Sequence, residues 1–333
     1  MEDRSEPKKG GFAFWEQVLG RPRHILAPMV CYSPMLHAGP FHADPSYRAR
    51  HLTSAPGDRP LIVQFCGNDP EEILQAALLV QDECDAVDIN FGCPQKCARK
   101  GNFGAYLLHN WPLMEAIVST LHKNLSIPVC CKIRLLPKLE DTIKLALVLQ
   151  NAGCQVLAVH GRTRESNSRG PADWAAIRQI KEALSIPVVA NGGVDELEDV
   201  ERCLNETKAD AVMVAYPALL NPRFFGGGEK ADGVELLHEY LSYVERYPAQ
   251  SKTIKSHARK LLKPMWGKHK DLREQLEAWD ERDQAIASVV LRIAQELKYR
   301  IDNGIEVDLK PPEAELEEGD GYALFGPQAD DDY

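Results

Sequence analysis

Cys93 is the residue whose type and setting most invite chemistry. It follows Ala86-Val87-Asp88-Ile89-Asn90, an apolar run with a polar end that reads as a short buried strand. Gly92-Cys93-Pro94 cannot continue a strand or begin a regular helix without a sharp turn, so the thiol is displayed on a tight loop at the strand's carboxyl end. α/β barrels carry their catalytic groups there. A buried structural cysteine is the plainer alternative. As a reactive group it has two roles open to it, nucleophile or acid. No histidine stands nearby in sequence to make a thiolate, and a thiol of ordinary pKa, about 8.5, is mostly protonated at neutral pH. Such a group suits an enzyme that adds hydride to one carbon and a proton to the next.

Other polar residues close apolar runs in the same way: Gln64, Asn90, Lys132 and Arg134, His160, and Asn191. Lys132 has apolar neighbours and needs a partner if buried, either a bound anion, the polar edge of a cofactor, or Asp88 on the next strand. His160, followed by Gly-Arg-Thr, reads as a ligand contact in preference to a core histidine. Asn191-Gly192-Gly193 precedes a helical pattern and can offer backbone N–H groups to a phosphate; an ordinary strand-to-helix turn is the alternative. Cys93 and Cys97 have a spacing that metal ligands use, but no second ligand pair accompanies them, and no metal is expected.

These residues need a scaffold that brings strand ends together. Runs at 24–29, 61–65, 86–90, 129–134, 156–160, 188–191 and 211–215 read as seven strands, with helical patterns between them from 69 onward. Alternation of this kind demands a parallel sheet with helical crossovers. The strand count, and the lack of Gly-x-Gly-x-x-Gly after the first strand, favour a TIM-type barrel over a doubly wound sheet. Between Cys31 and Pro60 the only expected helix is a short one at 45–52, capped by Asp44 with Pro45 first. The expected organisation is an N-terminal segment 1–23, a barrel 24–231, a helical domain 232–304, and an acidic, disordered tail 305–333.

A hydrophobic fraction of 44% and a charged fraction of 26% suit a soluble globular chain, and no apolar stretch reaches about 18 residues, so no membrane association is expected. The first nine residues lack an apolar signal core, and the nine cysteines show no paired spacing. A monomer of the cytoplasm or nucleus is expected. The net charge of −10 is unevenly placed: residues 306–333 hold ten acids and one base. Residues 252–273 hold Lys252, Lys255, Arg259, Lys260, Lys263, Lys268, Lys270 and Arg273 against Asp271 alone.

Several stretches together resemble the tRNA-dihydrouridine synthases. They are Ala27-Pro28-Met29-Val30, Pro60 to Pro70 (PLIVQFCGNDP), Asp88 to Gln95 with Ala98 to Ala105, Lys132-Ile133-Arg134, Val159 to Thr163, and Ala190 to Gly193. They stand in the family's order over roughly residues 24–225, and the wording Cys-Tyr-Ser-Pro-Met-Leu-His is most similar to the eukaryotic branch acting at D-loop positions 16 and 17. The resemblance implies an FMN-dependent reduction of uridine in tRNA, driven by NADPH or NADH, with hydride to C6 and a proton from Cys93 to C5. It implies that Pro28, Met29, Val30 and Gln64 line the flavin, and that Lys132 and His160 contact it. Asn191, Gly192, Gly193, Ala215 and Tyr216 would hold its phosphate. Asn90 and Arg134 would face the uracil, and Lys252, Lys255, Arg259, Lys260 and Lys263 would grip the tRNA backbone.

This chain departs from the family pattern in two places. Ala215-Tyr216 stands where the family often has Gly-Arg. More seriously, Val30 runs directly into Cys31 where the family inserts a helix and most of a strand, on the order of one βα unit, about 30 residues. An FMN enzyme acting on a free pyrimidine, and a catalytically impaired tRNA-binding protein, are the competing expectations. If the acidic tail competes with RNA for the basic stretch, deleting residues 306–333 tightens tRNA binding in a filter-binding titration; unchanged affinity rejects that competition.

Overall fold

The computed structural model describes residues 10–26, 32–54, 57–167, 169–226, 232–280 and 286–305. One sheet of eight parallel strands organises the first 215 residues: β1 (His24–Leu26), β2 (Leu36–His37), β3 (Ile62–Cys66), β4 (Ala86–Asn90), β5 (Val129–Leu135), β6 (Cys154–Thr163), β7 (Val188–Asn191) and β8 (Ala211–Val214). Their order is β1-β8-β7-β6-β5-β4-β3-β2, and every pairing is parallel. β3, β7 and β8 are buried at every position, as expected of parallel strands covered on both faces. The fold is therefore that of the expected barrel, curled but open at one seam.

The seam has a covalent cause. Only nine residues separate Leu26 from Leu36, and Tyr32 already bridges Ile62 at the start of β3. A return to a parallel neighbour needs a crossover of about a dozen residues or more. Among the described residues β1 therefore pairs with β8 alone and β2 with β3 alone, so two strands consecutive in the chain form the two edges of the sheet. The seven expected strands become eight, because Leu36–His37 is too short to leave a periodic signature.

Helices cover the sheet: α1 (Gly11–Gln17), α2 (Ala38–Ala43), α3 (Pro45–His51), α4 (Pro70–Leu78), α5 (Lys96–Lys100), α6 (Trp111–Asn124), α7 (Leu139–Asn151), α8 (Trp174–Ala183) and α9 (Leu197–Thr207). Local chemistry starts them where expected. The Asp44 carboxylate accepts from Ser46 N, and Asp69 accepts from the N–H groups of Glu71 and Glu72 behind Pro70. α2 was not expected, because it contains Pro40; the proline occupies the first turn, where a missing N–H costs nothing. α1 closes the amino end of the sheet. Phe14 and Trp15 pack on the inward layer Ile25, Ile62, Ala86, Cys130, Val156, Val189 and Ala211.

The compact units divide between Ala215 and Tyr216, whereas the sequence reading divides the chain at 231/232. The second unit comprises α10 (Tyr216–Leu220), α11 (Gly233–Arg246), α12 (Ser251–Leu261), α13 (Lys270–Glu277) and α14 (Ile286–Asp302). Its core joins Leu237 and Leu241 of α11, Ile254 and Ala258 of α12, Leu276 of α13, and Val290, Ile293 and Leu297 of α14. Among the described residues no helix is long and apolar enough to cross a membrane.

Phe14 is fully buried. Phe14→Ala should cost about 3–5 kcal/mol of stability, measured by urea unfolding; a loss below about 1 kcal/mol would show that α1 does not plug the sheet.

Candidate functional site

Register places the polar strand ends side by side. Gln64 is opposite Asp88, Asn90 opposite Lys132, Arg134 opposite His160, and His160 opposite Asn191. With a side-chain period of two, Asp88 and Asn90 share a face, as do Lys132 and Arg134. The carboxyl end of the sheet therefore carries a contiguous row of amide, carboxylate, ammonium, guanidinium and imidazole beside the Cys93 loop.

That loop is built by Asn90. Its Oδ1 accepts from Gly92 N at 3.0 Å and from Cys93 N at 2.9 Å, an Asx-type turn that sets the thiol's direction. Its Nδ2 donates to Gln64 Oε1 at 2.8 Å, Gln64 Nε2 donates to Asp88 Oδ2 at 2.8 Å, and the Tyr32 hydroxyl donates to Asp88 Oδ1 at 3.5 Å. Behind the loop Gly104 has φ +60°, and a Cβ there would lie 2.8 Å from Cys93 O. Only glycine allows that approach.

Arg134 is a strut. It is 1% exposed; its Nε donates to Gly92 O at 2.8 Å, and Nη1 donates to Thr163 O at 3.1 Å and Asn167 O at 2.6 Å. Asn90 and Arg134, expected to face a uracil, both have side chains that hold the Cys93 loop. Arg134 cannot reach a base without releasing three carbonyls, and Asn90 retains one amide hydrogen for a substrate.

Electrostatics separate the roles. A hydrogen bond to Cys97, reinforced by burial, raises the Cys93 thiol well above its ordinary pKa, so Cys93 holds its proton and is a donor in this structure. Burial raises the Asp88 carboxyl to about 6, against the hydrogen bond from Gln64 and the nearby charge of Lys132. Burial and the guanidinium of Arg134 lower Lys132 to about 8, which leaves it a cation near neutrality. Its ammonium forms no hydrogen bond or ion pair among the described residues, so the alternative of a salt bridge to Asp88 is not realised. His160 is held neutral by burial, then by Arg134, Lys132 and Arg162; Arg162 Nη1 lies 3.3 Å from its Nε2.

Gly192 and Gly193 have φ of +95° and +74°, and a Cβ on Gly192 would lie 2.6 Å from the His160 ring. The helix behind them is not a free anion site. Glu196 and Asp199 form a reciprocal capping box at the start of α9. Asn191 donates to Met213 O at 2.9 Å, and Ala215 follows β8 directly. Tyr216 opens α10, where its hydroxyl accepts from Lys263 Nζ at 2.6 Å. Pro28, Met29 and Val30 lie outside the described residues.

The cations of the basic stretch differ in exposure and in what they touch. Lys260 is 4% exposed, its Nζ 5.2 Å from the Tyr216 ring centroid, and so does not present itself to a phosphate. Lys255 Nζ donates to Glu277 O at 2.9 Å and Trp279 O at 3.3 Å, closing the carboxyl end of α13. Arg259 pairs with Glu277 at 3.6 Å. Lys252, on the first turn of α12, is half-buried. Tyr32 and Thr163 stand within the family-like motifs and Cys97 is weighed only as a metal ligand; no site role is assigned to any of the three from sequence.

The family model described as "Dihydrouridine synthase (Dus)" matches residues 23–304. Among curated proteins, the mouse (Mus musculus) tRNA-dihydrouridine(16/17) synthase (NAD(P)(+))-like protein is 44% identical over 292 residues, covering 81% of this chain and 61% of its own length. The rat (Rattus norvegicus) protein of the same name is 44% identical, covering 81% and 66%. The Saccharomyces cerevisiae tRNA-dihydrouridine(16/17) synthase (NAD(P)(+)) is 37% identical over 332 residues, covering 87% and 78%. The chain thus spans about two thirds or less of the rodent proteins' length. Since 81% of 333 residues is about 270, some twenty positions within the 292 matched to the mouse protein have no counterpart here.

Asp88 also supplies a pH test. Its folded pKa of about 6 lies above the ordinary 3.8, so its neutral form stabilises the fold below about pH 4, and that contribution is lost as the pH rises through about 6. Melting curves between pH 4 and 7 should flatten in Asp88→Asn; an unchanged slope would show that Asp88 is ionised throughout.

Proposed function

Because this chain belongs to the dihydrouridine synthase family, we propose that it reduces uridine to 5,6-dihydrouridine in tRNA, at D-loop positions 16 and 17, using FMN and NADPH or NADH. The observation that carries the reading is Cys93: a thiol displayed at the carboxyl end of a parallel strand and held protonated by its surroundings. The names of the mouse, rat and yeast relatives support the substrate and the nicotinamide reductant.

The residues fit a flavin. Lys132 is a half-buried cation whose ammonium makes no hydrogen bond or ion pair among the described residues, with Asp88 as its nearby opposite charge, and such a group suits an anionic or polar ligand edge. Lys132, neutral His160 and the Gln64 amide would face the flavin, and the backbone at Gly192 and Gly193 would take its phosphate. When bound, FMN supplies the hydride, renewed from the nicotinamide. Cys93 gives its proton to C5 of the uracil. Asn90 keeps the thiol aimed by holding the two N–H groups of the loop, and Arg134 fixes Gly92 against the segment 163–167. A base in a tRNA loop must leave its stack to meet this site, so recognition rests on the shape of the RNA.

The edges of β1 and β2, without a mutual pairing among the described residues, favour a second reading, a family member that keeps the fold without holding flavin. The spectrum of the purified protein separates the two. A stoichiometric flavin that bleaches with NADPH supports the enzyme; a folded protein without flavin supports the second reading. In the enzyme, Cys93→Ala should slow dihydrouridine formation by about 10²–10⁴-fold while bleaching is unchanged, measured by mass spectrometry of tRNA nucleosides. Full turnover in Cys93→Ala rejects the assigned proton donor.

A further inference from the structure

Cys97 has no part in the chemistry above; its thiol donates to Gln95 Oε1 at 3.6 Å, on the loop that carries Cys93. The two sulfurs belong to one packed cluster with Cys66, Met35, Ala98, Phe103 and Tyr106. They differ in access: Cys93 is 8% exposed, whereas Cys97, on the first turn of α5, is half-buried. Around Cys97 the helix carries Lys96, Arg99 and Lys100, all exposed. The Cys93 thiol beside it lowers the Cys97 thiol to about 6, against its burial, and partial exposure leaves the sulfur reachable.

We propose that Cys93 and Cys97 are a modification site for hydroperoxides, which convert the pair to a reversible disulfide. The Cys97 thiolate attacks the terminal peroxide oxygen. The O–O bond breaks, Cys97 becomes a sulfenic acid, and the leaving alkoxide or hydroxide takes a proton to depart as alcohol or water. Cys93 sulfur then displaces the sulfenic oxygen: an S–S bond forms, the S–O bond breaks, and the Cys93 proton leaves with that oxygen as a second water. Two thiols are oxidised by two electrons, and the peroxide is reduced by two. Cys93 is pinned by Asn90 and by the close approach of Gly104, so the adjustment needed for bonding falls on α5, which is only five residues long. The bridge removes the Cys93 proton. Its consequence for turnover rests on the proposed function; its formation does not.

Lys96 lies between the two cysteines, and this supplies the test. The full chain is treated with hydrogen peroxide, blocked with iodoacetamide, and cut with trypsin without reductant. Cleavage after Lys96 releases Cys97-Ala98-Arg99 as a tripeptide unless a disulfide holds it to the peptide ending at Lys96. The expected result is that linked species, lighter than its two free thiol peptides by two hydrogen atoms and separated by dithiothreitol. In Cys93→Ser the tripeptide should instead carry sulfinic acid. Three results overturn the proposal: an alkylated, unmodified Cys97 after peroxide, sulfinic acid at Cys97 of the unsubstituted chain without any bridge, or a tripeptide still linked in Cys93→Ser, which would make Cys66 or Cys84, both on the peptide ending at Lys96, the partner. The readout needs neither flavin nor tRNA, so its failure leaves the proposed reduction standing. A chain inactive on tRNA can still form the bridge.

Discussion

A carboxylate with no exposed surface must be met by hydrogen-bond donors, and in this protein that requirement organises the site. Asp88 is fully buried and takes bonds from Tyr32 and Gln64; Gln64 orients Asn90, and Asn90 orients the Cys93 loop. Each member has its polar atoms committed to the next, so the network is costly to disturb at any point. The loop's shape is therefore inherited from the interior of the sheet, from residues that touch no ligand. Arg134 adds a second attachment through Gly92 O, which joins the loops after β4 and β6.

Much of this was legible in the residues. Continuous apolar runs, each with one polar residue at its end, marked the strands of a parallel sheet and its chemically useful edge. The exceptions have particular causes. Leu36–His37 is two residues long, and no period can be read from two residues. Pro40 hid α2, since a proline signals a break unless the first turn is known in advance. The resemblance implies that Asn90 and Arg134 face the uracil, and in the structure both side chains also hold the Cys93 loop. Nothing in their identity reveals that backbone carbonyls and N–H groups two or more residues away claim their side chains.

The basic stretch is a stricter case. Counting charges along 252–273 treats each as solvated, but helix packing turns Lys260 inward and sets Lys255 on the carbonyls at the end of α13. A long aliphatic stem permits either fate, and only tertiary structure chooses. Attraction for a polyanion then depends on fewer side chains than composition implies, and its dependence on salt is correspondingly shallower.

The open seam bears on how the protein is made. A closed barrel lets its first strand pair with its second soon after both emerge from the ribosome. Here, among the described residues, the one ladder partner of β1 is β8, and His24 finds it at Val212. At about 5–20 residues per second, the first strand waits on the order of ten seconds or more for the last one to be synthesised. Throughout that interval β1 stays without a ladder and Phe14 and Trp15 lack part of the layer they will cover, a nascent-chain state suited to holdase chaperones.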